Sequence, residues 1–281
     1  MKFSFIRKIL VPLIALFSLT CFGQTKLPTL EGPYLGQKPP DSSPIPFGFG
    51  TISTEGYEYN GVFTPDMKEF YYISAEKGTR QQNLIVYRKK ENKWNGEVMS
   101  KRLGQQTISP DGDIMHLGRR YLKRNGNGWS ERKNLDLPFR DILIMRLTSS
   151  SSGTYFFDTW DENNKEYPIR YSRLINGKYE KPKELSKEIN NGTQLNHPFI
   201  APDESYLIWD AIREGGYGDS DLYISYRQED GSWGKAINLG EEVNTSAWDA
   251  AGYVTPDGKY FLYTSNEDIY WVSTQVFEQY R

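Results

Sequence analysis

The sequence predicts an all-β protein, a five-bladed β-propeller whose last blade is closed by a strand from the N-terminal side. Three observations carry that reading. A Pro-Asp turn recurs along the chain, short segments rich in aromatic and β-branched residues flank each copy, and no stretch has helical periodicity. The turn occurs as Thr64-Pro65-Asp66, Ser109-Pro110-Asp111, Ala201-Pro202-Asp203 and Thr255-Pro256-Asp257, with a degenerate copy at Ser150-Ser151-Ser152. Counted from the proline position, the spacings are 45, 41, 51 and 54 residues, which suits one four-stranded blade per unit.

Each turn has the chemistry of a hairpin. Pro fixes φ, Asp accepts backbone N–H groups, and Gly112 and Gly258 tolerate positive φ. The aspartates are therefore turn-formers. A third strand is expected at residues 84–88, 169–173, 222–226 and 269–272. A polar turn then ends on Trp94, Trp129, Tyr179 or Trp233, and the recurrence of that position assigns these rings to blade packing. The fifth unit runs out after three strands. Residues 46–54 resemble residues 238–245, the outer strand of the preceding unit, so they are expected to complete the ring and remove its sheet edges.

The chain has 281 residues, 15% of them aromatic, which suits a packed core and argues against disorder. One cysteine, Cys21, excludes an internal disulfide, and two histidines, His116 and His197, exclude a three-histidine metal site. No cofactor or metal is expected. A formal charge of −2 gives nucleic-acid binding no electrostatic support. Lys2, Arg7 and Lys8 precede the apolar residues 9–17, a run too short to span a bilayer. Residues 1–23 thus read as a signal peptide, 24–44 as an extended Pro-rich leader and 45–281 as the propeller. Acylation at Cys21 is the weaker reading, because Leu19 stands one place too close. The expected product is an exported, periplasmic or secreted monomer with no membrane span.

The Thr-Pro-Asp-Gly-Lys turn at 255–259, and the strands beginning Asp221-Leu222-Tyr223 and Asp268-Ile269-Tyr270, resemble the TolB-type, WD-repeat-like propellers of bacterial envelopes. The resemblance covers residues 53–273 and implies the blade rather than a function. That broad group includes protein-binding modules and, more distantly, propeller lyases that split pectic uronates at a His-rich metal centre. With two histidines, this chain departs from that centre.

In a propeller, the loops opening each inner strand share a face with those joining the second and third strands, around the channel mouth where ligands bind. The opening loops supply Glu58, Asn60, Gln105, Arg140, Gln194, His197, Trp248 and Asp249; the second set supplies Arg80, Asp161, Arg213 and Tyr217. Blade two turns tightly at Gly118-Arg119 while the other loops are long, so the rim is uneven. His197 is the candidate base, since imidazole moves protons near neutral pH. Tyr217 is the candidate acid. Arg80, Arg140 and Arg213 are candidate clamps for a carboxylate, with Arg146 a further arginine near the mouth. Trp248 can stack on a sugar ring. His116, in the middle of a second strand, reads as structural.

These residues point to an exported enzyme acting on uronic-acid-containing oligosaccharides by β-elimination, of lyase or dehydratase type and giving an unsaturated uronate, with an acidic oligosaccharide as partner. Two alternatives stand beside it. One is a non-catalytic envelope propeller binding a glycan or protein; the other is a five-bladed glycoside hydrolase using Glu58 or Asp249.

Overall fold

The computed structural model describes residues 27–160 and 168–280. The signal peptide, Cys21 and Asp161 lie outside them. The described residues form five antiparallel blade sheets in sequence order, with a small hairpin of Leu174–Ile175 and Lys178–Tyr179 beside the third, arranged as a five-bladed β-propeller. Inner to outer, blade one runs Tyr57–Phe63, Glu69–Ala75, Asn83–Lys90 and Lys93–Lys101. Blade two has Gln106–Ile108, Ile114–Leu117 and Arg120–Asn125, on whose outer edge two short strands, Gly128–Trp129 and Lys133–Asn134, both pair. Blade three runs Leu147–Ser149, Tyr155–Phe157, Arg170–Ser172 and Lys183–Glu184. Blade four runs Thr193–Ile200, Tyr206–Ile212, Asp221–Tyr226 and Ile237–Asn238. Blade five has Asp249–Val254, Tyr260–Ser265 and Asp268–Ser273.

The closing strand comes from the N-terminal side, as the sequence predicts, but it is Ile45–Pro46 rather than the whole of residues 46–54. Ile45 pairs with Trp271 and Pro46 with Tyr270. Gly48, at φ 68°, then turns the chain, and the Ile52 N–H donates back to the Gly48 carbonyl at 2.7 Å. The leader is also built into the fold. Leu30–Glu31 pairs with Lys93–Lys101 as a fifth strand on blade one. Tyr34 packs on Phe63, Tyr260 and Trp271 and donates a 2.5 Å hydrogen bond to Asp257.

The turns hold as their composition dictates. The Thr64 hydroxyl donates to Asp66 at 2.7 Å and accepts from the Glu69 N–H at 3.0 Å; Thr255 and Asp257 repeat the arrangement. In the degenerate copy, Ser150 and Ser152 donate to Glu204 of the next blade, at 2.8 and 2.7 Å. The serine run is a blade-to-blade tie. Trp94 is fully buried and Trp129 donates to the Tyr71 hydroxyl at 2.9 Å, so the repeated aromatic positions are packing residues.

Candidate functional site

The inner strands meet around the propeller axis, and three of them carry a β-bulge there. Their register slips between Tyr59 and Val62, Asn196 and Phe199, and Ala250 and Tyr253. Each bulge holds one non-glycine residue at positive φ: Asn60 at 57°, His197 at 52° and Ala251 at 56°. An extra residue leaves a backbone N–H outside the ladder, and here each is taken by a residue in or immediately after the second strand of the preceding blade. Asn60 donates to the Thr264 hydroxyl at 3.2 Å, His197 to Asp158 at 3.0 Å and Ala251 to Asp210 at 3.0 Å. Bulge and acceptor thus staple neighbouring blades.

His197 is the centre of this network. Its Nδ1 lies 2.8 and 3.0 Å from the Asp210 carboxylate oxygens, and its Nε2 lies 3.0 Å from the Gln105 amide nitrogen. An amide NH2 can only donate, so Nε2 accepts and Nδ1–H donates to Asp210. Asp158 also accepts the N–H groups of Met145 and Arg146, both at 2.9 Å. Burial pushes its pKa up, against the pull of His197 and these N–H donors.

Arg146 stands beside them, fully buried. One terminal nitrogen donates to the Gly252 carbonyl at 3.1 Å, while Nε and the other terminal nitrogen have no partner among the described residues. Burial pulls its pKa down; Tyr59, Asp210 and Asp158 oppose that shift. The Tyr59 hydroxyl and the Gln105 and Gln106 side-chain oxygens are also buried without partners. Toward the loop face, Trp248 stacks on Tyr59 at 5.8 Å, and the His197 ring meets both edge-on at 6.0 Å. These rings leave His197 only 4% exposed.

The other end of the axis opens on the turn face. A pocket of about 350 Å³ is lined there by all five blades, among them Phe63, Thr107, Ser149, Phe199 and Tyr253. No lysine, arginine or carboxylate lines it.

Of the residues singled out by sequence, the structure brings His197, Gln105, Asn60, Arg146 and Trp248 together around the axis. Asn60 donates from its amide to the Gln106 carbonyl at 2.8 Å. Glu58 and Asp249 are buried but turned to their own loops, accepting from the backbone and hydroxyl of Thr54 and Thr245 respectively. Burial raises the pKa of both. Arg213 stacks on Tyr223 at 4.5 Å and donates to the Ile189 carbonyl at 2.6 Å, so its guanidinium braces blade four. Arg140 pairs with Asp136 at 3.1 Å on the surface. Arg80 and Gln194 are exposed, and Tyr217 is 48% exposed on a loop held by Asp221. Among the described residues, no hydrogen bond, ion pair or ring contact joins Arg80, Arg140, Arg213, Gln194 or Tyr217 to His197. Sequence reasoning passed over Asp158 and Asp210. The signal for the ring is positional, because Asn60, Gln105, Arg146, His197 and Ala251 all stand five places before the proline position of their turns.

No group of three or more metal-ligating side chains occurs among the described residues, and no helix there is long and apolar enough to cross a membrane. No family model and no curated protein sequence matches the chain. Solved structures do. A gluconolactonase from Xanthomonas campestris superposes with a TM-score of 0.50 at 7% identity, covering 87% of this chain and 96% of its own. TolB from Acinetobacter baumannii gives 0.48 at 13% identity over 78% of this chain, which spans 55% of TolB. An oligogalacturonate lyase in complex with manganese gives 0.40 at 11% identity, covering 85% of this chain and 100% of its own. At such identities the likeness is one of fold. The class is set by the chain's own sheets, a five-bladed β-propeller, and TolB and oligogalacturonate lyase are among its structural neighbours.

Proposed function

We propose that the protein is an exported carbohydrate-binding propeller that holds its ligand without transforming it. One observation carries this reading: the pocket shared by all five blades is uncharged and lined by aromatic rings and hydroxyls. Rings stack on the apolar faces of sugars and hydroxyls meet their edges. The Ser149 hydroxyl is buried there with no partner among the described residues. The groups that elimination or hydrolysis would use are bonded inward instead, as His197, Glu58 and Asp249 are.

One arrangement favours the second reading, β-elimination on a uronate. The bond from Nδ1–H to Asp210 puts the lone pair of His197 on Nε2, the tautomer of a general base, where Gln105 holds it until a substrate proton replaces that donor, with Arg146 close by. A single experiment separates the two. Neutral and acidic oligosaccharides are titrated calorimetrically into the protein and then assayed for new double bonds. Binding without turnover, weakened about tenfold by Ser149→Phe through loss of pocket space and contacts, supports the first reading. Turnover that disappears in His197→Ala replaces it with the second.

A further inference from the structure

A second pocket, of about 220 Å³, lies on the loop face between blades one, two and three. It sits where the rim is low. Leu117 pairs with Arg120 across the tight turn Gly118-Arg119, and a Cβ on Gly118 would stand 2.3 Å from the Ile144 carbonyl. Glycine therefore lets the turn press against blade three.

The charge of this pocket is one-sided. Arg102, Arg119 and Arg120 line it, and among the described residues no carboxylate does. Arg102 is held rigidly, donating to Gln82 and lying 5.5 Å from the Tyr59 ring centre. The Arg119 and Arg120 side chains make no hydrogen bond or ion pair among the described residues. Gln105 forms another wall, and its unpartnered side-chain oxygen is a buried acceptor; the amide nitrogen is already used on His197. Leu103 and Met145 add apolar surface, Met145 being 42% exposed.

We infer that this pocket binds an oxyanion carried on a small hydroxylated ring, a sugar residue bearing a carboxylate, sulfate or phosphate. Guanidiniums match the paired oxygens of such a group and are relieved of mutual repulsion when it binds. Leu103 and Met145 lie against the ring, beside the wall that Gln105 forms. A bare inorganic anion would leave that apolar surface unused. The site is separate from the turn-face pocket, so it stands or falls independently of the proposed function.

The test is calorimetric titration of the whole protein with glucuronate, glucose 6-sulfate, glucose 6-phosphate, glucose and inorganic sulfate. The acidic sugars should bind at least tenfold more tightly than glucose and inorganic sulfate, weaken with added salt, and rank which oxyanion the pocket prefers. The titrations are made in the Ser149→Phe background, which closes the turn-face pocket to sugars, and there Arg119→Gln with Arg120→Gln should weaken the acidic sugars tenfold or more with an unchanged melting temperature. Equal binding of glucose, or acidic-sugar binding that survives the double substitution, overturns the assignment. Should the double variant not fold, the preference over glucose and its salt dependence decide alone, and their absence rejects the site.

Discussion

The two histidines occupy comparable depths and opposite chemistries. His116, in the second strand of blade two, is 1% exposed; its ring lies edge-on to Tyr155 at 5.1 Å, and neither nitrogen has a hydrogen-bond partner among the described residues. Burial pushes its pKa down to about 3, with only Asp111 pulling the other way. His197, equally shielded from water, has both ring nitrogens and its backbone N–H bonded. Depth alone therefore says nothing of role. What differs is the neighbour: blade four brings Asp210 beside the His197 ring, whereas His116 pairs with Thr107 and Tyr121 in its sheet.

That contrast breaks most sharply at Asp210. Asp210→Ala strands the Nδ1–H of His197 and the Ala251 N–H, and removes one of the carboxylates that offset the buried Arg146. Losing one partner of such a network costs about 3–5 kcal/mol, read as a lower urea midpoint. A loss below about 1 kcal/mol, the scale of one ordinary hydrogen bond, would put His197 on the same footing as His116.

His116→Phe addresses the other side. The folded pKa lies below the ordinary 6.5, so between about 6.5 and about 3 the unfolded chain binds a proton that the folded chain refuses. Stability from the neutral ring is thus complete above about 6.5 and lost as pH falls through that window. At about 1.4 kcal/mol per unit, the wild type forfeits about 3 kcal/mol by pH 4. Phenylalanine keeps the ring contact and removes that loss. Urea midpoints at pH 7 and pH 4 measure it, and equal pH slopes in the two proteins would refute it.

The fold was legible because its signals are local. A Pro-Asp turn makes its own hydrogen bonds, and Trp94, Trp129 and Trp233 recur at one position in successive units, so spacing alone yields the blades. The site was legible only where the backbone itself points at the axis. Asn60 and His197 reach it because a bulge forces them there. Arg80, Arg140, Arg213 and Tyr217 sit on loops, where a long side chain follows whichever partner is nearest; for Arg213 that is Tyr223 and the Ile189 carbonyl. Glu58 and Asp249 each accept from a threonine four residues earlier, a pattern readable in the sequence once the loop closure is known. Asp158 and Asp210 serve the next blade, a relation across about forty residues that no local motif announces.

The smallest expected effect isolates the bulge itself. Asparagine tolerates positive φ better than other side chains, and His197 is anchored by its ring bonds, but Ala251 has a methyl group and only its N–H to hold it. Its neighbour Ala250 is equally buried, at 0% against 2% exposure, and has an ordinary φ. Ala250→Gly and Ala251→Gly delete the same methyl and loosen the unfolded chain equally. Only at 251 does glycine also relieve a left-handed conformation, worth about 1 kcal/mol. Ala250→Gly should therefore cost about 1 kcal/mol more than Ala251→Gly in paired urea titrations. Equal costs would mean that the bulge stores no strain at 251, and that the Asp210 staple merely occupies an N–H rather than holding the chain in a conformation it would otherwise leave.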